Sequence, residues 1–237
     1  MGDLQLVIFD CDGVLVDSES ISNGVLARML SEQGLPTTLP EARRDYQGLL
    51  LSEVLERAEA KLHRPLPEGW LSSYERERSA AFRSQLEPVP GAADAVRRVR
   101  AAGLEACVAS QGALAKIRLS LELTGMRDLF PDRALFSAES VPRGKPHPDL
   151  FLHAAEAMGA KPSACAVVED SPSGVTAAVA AGMRALGFAA DSDEQALRRA
   201  GAEVLYSLAE LPALLGLAAP ASRAPRVPRA PGGPVDL

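Results

Sequence analysis

The chain has 237 residues, 47% of them hydrophobic and 24% charged, enough to bury the core of one large domain or of a domain carrying a sizeable insertion. Its 31 acids against 25 lysines and arginines give a formal net charge of −6, and no basic domain stands out, so no nucleic-acid partner is expected. No apolar run reaches the roughly 18 residues that cross a bilayer, and the short apolar run near the start follows Asp3 and ends at Asp10, so neither a membrane anchor nor a signal peptide is expected.

Positions 4–9 form a short apolar run cut off by Asp10, which predicts a strand. From 17 to 33 the period changes. Ile21, Val25, Leu26, Met29 and Leu30 share one helical face, and Gly34 with Pro36 ends the helix. Two more helices are predicted over 52–63, with Val54, Leu55, Ala58 and Leu62 in phase, and over 67–85, with Trp70, Leu71, Tyr74, Ala81 and Phe82 in phase. No strand pattern occurs between 17 and 86, so that block reads as an all-helical insertion. After Glu87-Pro88-Val89-Pro90-Gly91 the patterns alternate. Helices are predicted over 92–102, 113–123, 148–158 and 173–181, and strands over 104–109, 133–136, 164–168 and 184–188. Weaker repeats of the theme follow at 195–200, 203–206 and 208–217. Continuous apolar strands alternating with helices predict an α/β fold, a parallel sheet with helices on both faces. Residues 218–237 are rich in Pro and Arg without an apolar face, and a disordered tail is expected there.

Cys11, Cys107 and Cys165 each lie in or beside an apolar run, and none forms a CxxC pair. They read as small core residues of a protein in a reducing cytoplasm, although Cys11, between two acids, is also placed to border a site.

In an open parallel sheet, ligands bind beyond the carboxyl ends of the strands. Those ends carry Asp10 and Asp12 after the first strand, Ser110 after the second, and Glu169 and Asp170 after the apolar strand at 164–168. Lys145 sits in the loop Arg143-Gly144-Lys145-Pro146-His147-Pro148, just before a predicted helix. Carboxylates gathered at one edge repel one another unless a cation sits among them, and oxygen ligands favour a hard ion such as Mg²⁺. A lysine and a helix N-terminus beside them favour a phosphate group as second guest. Each piece alone has an ordinary reading: Asp-x-Asp-Gly as a turn, Glu169-Asp170-Ser171 as a helix cap, Lys145 as a surface lysine. A calcium loop is excluded because Val14, Leu15 and Val16 stand where it needs oxygen ligands. Their joint order at successive strand ends is what argues for a site.

Phe9-Asp10-Cys11-Asp12-Gly13-Val14-Leu15-Val16-Asp17-Ser18-Glu19, Ala109-Ser110-Gln111-Gly112, Gly144-Lys145-Pro146-His147-Pro148-Asp149-Leu150-Phe151 and Val168-Glu169-Asp170-Ser171-Pro172-Ser173-Gly174 resemble the four motifs of the haloacid dehalogenase superfamily. The group most resembled is that of sugar-phosphate phosphatases and β-phosphoglucomutase-like proteins with a helical cap after the first strand. The resemblance implies a Rossmann-like catalytic core over 1–16 and 88–217, a helical cap over 17–87 and, beyond both, the tail over 218–237. It implies that Asp10 is the nucleophile and Asp12 the acid and base. Mg²⁺ would be held by Asp10, the backbone carbonyl of Asp12, Asp170 and Glu169. Ser110 would bind a phosphoryl oxygen, and Lys145 would neutralise charge. Ser110, Gln111, Lys145 and Gly48 are the expected substrate contacts, Gly48 within a cap loop at 47–52 that lets backbone approach a ligand. Leu49, Leu50 and Leu51 of that loop read equally as specificity residues or as cap core. Hinges are expected at 14–18 and 84–90.

Mutases of this group usually carry a histidine shortly after the Asp-x-Asp motif and an arginine in the cap loop. Ser22 and Leu51 stand in their places here, which favours simple hydrolysis. The expected partner is a small phosphorylated metabolite, with no nucleic acid and no membrane, and the expected state is a monomer or weak dimer. The alternatives are a phosphohexose mutase and a phosphate-binding protein without catalysis.

Overall fold

The structure, a computed structural model, describes residues 4–47, 49–190 and 192–217. Gly48 and the tail over 218–237 lie outside the described residues. In chain order the elements are β1 (Leu6–Phe9), α1 (Glu19–Glu32), α2 (Leu39–Tyr46), α3 (Leu51–Leu62), α4 (Trp70–Gln85), α5 (Ala92–Ala101), β2 (Glu105–Ser110), α6 (Leu114–Leu123), β3 (Leu135–Ser137), α7 (Asp149–Ala157), β4 (Cys165–Glu169), α8 (Pro172–Ala180), β5 (Arg184–Phe188), α9 (Glu194–Ala200), β6 (Glu203–Leu205) and α10 (Leu211–Leu214).

The strands pair in the order β3-β2-β1-β4-β5-β6, all parallel. The chain leaves β1 toward one edge and returns to its other side with β4, so β1 stands at the topological switch where a crevice opens. Because side chains alternate across a strand, Val7 and Phe9 pack with Ala106, Val108, Ala166 and Val168 on one face. Leu6 and Ile8 pack with Cys107, Cys165 and Val167 on the other. All three cysteines are buried, Cys11 included, with no exposure at all.

Helices α1 to α4 lie between β1 and α5 and have an apolar cluster of their own, built from Leu26, Leu30, Tyr46, Val54, Trp70 and Tyr74 among others. The two chain crossings that join this block to the sheet pair with each other. Asp17 N–H donates to Glu87 O at 3.0 Å, and Val89 N–H to Leu15 O at 3.0 Å.

The strand expected at 133–136 is Leu135–Ser137, because Asp132–Ala134 closes into a 3₁₀ turn after Pro131. The final repeat at 208–217 is a 3₁₀ turn, Leu208–Glu210, and the single turn of α10. β2 and β4 each run one residue further than the apolar pattern suggests, so Ser110 and Glu169 are the last residues of their strands and not the first after them. Helix α2 has no counterpart in the sequence-based expectation. No helix among the described residues is long and apolar enough to cross a membrane.

Candidate active site

Register sets the site. Phe9 is level with Val108 on β2 and Val168 on β4, so the next residues, Asp10, Ala109 and Glu169, emerge side by side at the carboxyl edge. Lys145, from the loop before α7, comes back over this row. Its Nζ donates to Asp10 Oδ1 at 2.6 Å, to Glu169 Oε1 at 2.5 Å and to Ala109 O at 3.2 Å. The side chain is 4% exposed. Burial works against its charge, but Asp10 and Glu169 outweigh burial and hold the ammonium above its ordinary range. The loop is fixed by Gln111, whose Oε1 accepts from Lys145 N–H at 3.1 Å, and by Arg143, whose Nη2 lies 2.9 Å from Asp149 Oδ1.

Asp10, Glu169 and Asp170 are buried, and each offers an oxygen within 4.8 Å of the others. Burial raises the proton affinity of Asp10; Lys145 opposes it and Glu169 adds to it, leaving Asp10 pushed up to about 7. Asp170 is raised well above the carboxylate range by burial, then by Glu169, Glu19 and Asp10. Clustered carboxylates with one lysine are short of positive charge, and that shortage is what a bound cation relieves. The sequence holds the cluster open with two glycines. A Cβ on Gly13 (φ +75°) would collide with the Asp170 carboxylate, and one on Gly174 with the Glu169 carboxylate. Glu169 Oε2 also accepts from Ser171 N–H at 2.9 Å and Ser171 Oγ at 2.8 Å, while Ser171 caps α8 by accepting from Gly174 N–H.

Asp12 faces a separate set of donors. Lys116 Nζ on α6 donates to its Oδ1 at 2.5 Å, Ser18 Oγ donates to the same oxygen, and Ser110 Oγ lies 3.4 Å from Oδ2. Burial alone would raise Asp12, but Lys116 and Ser18 outweigh it and hold the carboxyl below its usual range, with Arg78 contributing. Ser110 is itself held by Gly112 N–H at 3.1 Å.

These groups line one cavity of about 550 Å³ between the sheet edge and helices α1 to α4. Asp10, Asp12, Ser110, Gln111, Lys145, Glu169 and Asp170, all expected from the sequence, share it. Gly48 lies outside the described residues; its neighbours Gln47, Leu49, Leu50 and Leu51 line the cavity. Leu49 and Leu51 also pack on the cluster of α1 to α4, whereas Leu50 packs on the sheet-side cluster. Four charged lining residues escaped the sequence reading of the site, Glu139 and three that bear on its electrostatics. The three are Lys116, Arg78 on α4, and Glu19, which burial, then Asp12, push up to about 7. Nothing in helical periodicity separates Lys116 or Arg78 from surface cations; for Glu19, its place inside the first motif was the available signal.

A family model described as haloacid dehalogenase-like hydrolase matches residues 4–182. The chain is 32% identical over 215 residues to 6-phosphogluconate phosphatase of Escherichia coli (strain K12), covering 90% of this chain and 96% of that one. It is 31% identical over 220 residues to Hexitol phosphatase B of the same organism, covering 88% and 96%. Among solved structures, a haloacid dehalogenase family hydrolase from Deinococcus radiodurans R1 with bound phosphate and sodium superposes with a TM-score of 0.75 at 35% identity, covering 93% of this chain and 100% of that one.

Proposed function

The chain belongs to the haloacid dehalogenase-like hydrolase family, and on that premise we propose that it hydrolyses small phosphate monoesters, sugar phosphates foremost, through an aspartyl-phosphate on Asp10. The observation that carries the reading is Lys145 Nζ, seated 2.6 Å from Asp10 Oδ1 and 2.5 Å from Glu169 Oε1. An anionic nucleophile meets an anionic phosphate only where fixed cations offset both charges.

The donor set fits Mg²⁺. The cluster of Asp10, Glu169 and Asp170 offers only hard oxygen atoms, and Gly13 leaves room for the Asp170 carboxylate to face it. The Asp12 backbone carbonyl would be a further donor. When bound, the ion supplies charge stabilisation to the phosphoryl oxygens. The chain's own groups do the rest. Asp10 attacks phosphorus and the ester oxygen leaves, taking a proton from Asp12. Water then attacks the aspartyl-phosphate and gives its proton to Asp12, releasing inorganic phosphate and restoring Asp10. Lys116 holds Asp12 ionised in the substrate-free site, so Asp12 is ready as the base but must take up a proton before it acts as the acid. Ser110 Oγ binds a phosphoryl oxygen, and Gln111 acts by holding the backbone of Lys145.

Helices α1 to α4, within 17–87, form a cap on a core of 1–16 and 88–217. Ser22 and Leu51 line the cavity in place of the histidine and arginine of the mutase pattern, which supports hydrolysis over phosphohexose mutation. The names of the two Escherichia coli relatives, which specify 6-phosphogluconate and hexitol phosphatases, support a sugar-phosphate substrate. Buried free cysteines support a reducing, cytoplasmic setting, with the protein a monomer or weak dimer.

Hydrolysis of p-nitrophenyl phosphate with and without Mg²⁺, by wild type and Asp10→Asn, tests the proposal. Asp10→Asn should lose about 10,000-fold or more. Intact-mass analysis of Asp12→Asn should reveal a trapped phosphoryl group. Wild-type rates in Asp10→Asn would end the covalent reading.

A further inference from the structure

Arg78 on α4 is a cavity-lining cation that the proposed chemistry does not use. It is 7% exposed, and its Nε is buried without a hydrogen-bond partner. The ion pairs of the site, Lys116 to Asp12 and Lys145 to Asp10 and Glu169, leave it out. Its guanidinium carbon lies 5.1 Å from the centre of the Tyr74 ring, within the range of a cation–π contact. Two more buried polar atoms without a partner, Ser22 Oγ and the Tyr46 hydroxyl, belong to residues lining the same cavity. The other such atoms among the described residues, on Trp70, Arg100 and Ser120, belong to residues that line no part of it.

Buried polar groups are nearly always satisfied, and each exception calls for an explanation. Three of the six such atoms among the described residues belong to side chains of helices α1, α2 and α4 that line one cavity. A buried guanidinium that feels Asp12 only at a distance and has no ion-pair contact is costly, and its planar fork matches a carboxylate in bidentate fashion. Hydroxyl groups beside it match the hydroxyls of a sugar chain.

We infer that this wall of the cavity binds the end of the substrate remote from the phosphate, and that this end is a carboxylate on a hydroxylated chain. Arg78 takes the carboxylate, and Ser22 and Tyr46 take neighbouring hydroxyls. The inference rests on the phosphatase reading of the same cavity and adds the substrate class, a phosphorylated sugar acid. One guanidinium with two neutral hydroxyls balances the single charge of a carboxylate better than the nearly double charge of a second phosphate.

The test compares kcat/KM for a hexonate phosphate and for the matching hexitol phosphate, with Mg²⁺, in wild type, Arg78→Gln and Arg78→Lys. Wild type should favour the hexonate. Arg78→Gln should cut that preference by about 30-fold or more, and Arg78→Lys should recover part of it. Equal losses on both substrates would assign Arg78 to the fold of the helices or to the field at Asp12, and would overturn the inference. So would a wild-type preference for a hexose bisphosphate that Arg78→Gln abolishes. Should Arg78→Gln fail to fold, the wild type decides. Gluconate must inhibit p-nitrophenyl phosphate hydrolysis competitively about tenfold more strongly than sorbitol, and equal inhibition rejects the assignment. A wild type inert toward every phosphomonoester would sink the phosphatase reading itself, whereas turnover without a hexonate preference sinks this inference alone.

Discussion

At the scale of single residues, the site depends as much on atoms that are missing as on those present. Gly13 adopts a left-handed φ of +75°, and a Cβ there would meet the Asp170 carboxylate. Gly13→Ala should therefore displace Asp170 and raise the Mg²⁺ concentration needed for half-maximal activity by about 10- to 100-fold, the effect usual for disturbed metal-site support. Gly34→Ala is the control. Gly34 has a similar φ of +84° but nothing within 4 Å of an added Cβ, so it carries the backbone strain alone. Activity titrated against Mg²⁺ for both variants decides the matter, and parallel shifts would mean that strain, not the Asp170 contact, is responsible. The acids, Ser110 and Lys145 were legible in the sequence because they sit at strand ends or in a loop, where polar residues interrupt an apolar pattern. Lys116 and Arg78 were not. Each lies on a helix, where a cation is ordinary, and only the packing of α6 and α4 against the cavity turns it inward.

At the scale of elements, the strands and long helices follow from apolar periodicity, and the missing α2 shows where that signal fails. Only Ala42 and Tyr46 are buried in its eight residues, too few for a period. Its start is written in the capping chemistry instead, in Thr38-Leu39-Pro40-Glu41. The Thr38 side chain accepts from Glu41 N–H at 3.4 Å, and Glu41 Oε2 accepts from Thr38 N–H at 2.8 Å. Thr38→Ala should cost about 1 kcal/mol of stability, measured by urea denaturation. Since α2 carries Tyr46 to the cavity wall, the same variant should raise KM for sugar phosphates more than for p-nitrophenyl phosphate. An unchanged midpoint would show that the cap box is not holding the helix.

At the scale of the whole molecule, the proposed mechanism takes its reacting groups from the sheet edge and the wall that reads the substrate from the proposed cap, and on that reading activity needs the two halves held together. The connection is partly apolar: Phe82 of α4 is buried in the cluster on one face of the sheet, and Ile21 of α1 packs against it. The chain crosses twice, at segments whose backbones pair through Leu15, Asp17, Glu87 and Val89, and one side chain of the cap loop, Leu50, packs on the sheet-side apolar cluster. Its neighbours Leu49 and Leu51 pack on the cap's own cluster. The loop that the sequence left open between specificity and core thus divides by residue. In the proposed mechanism Leu50 is the loop contact that favours closure, and closure excludes water from the transfer step. Partial burial of a leucine contributes about 1–1.5 kcal/mol. Leu50→Ser should therefore lower kcat/KM by about tenfold, since a 1.4 kcal/mol loss is about one decade, and do so for large and small substrates alike. The thermal midpoint should move little, because neither apolar cluster loses a fully buried side chain. Kinetics on p-nitrophenyl phosphate and a hexitol phosphate, with a melting curve for each variant, test this. A marked fall in the midpoint with unchanged kinetics would make Leu50 an ordinary core residue and remove the closing contact from the mechanism.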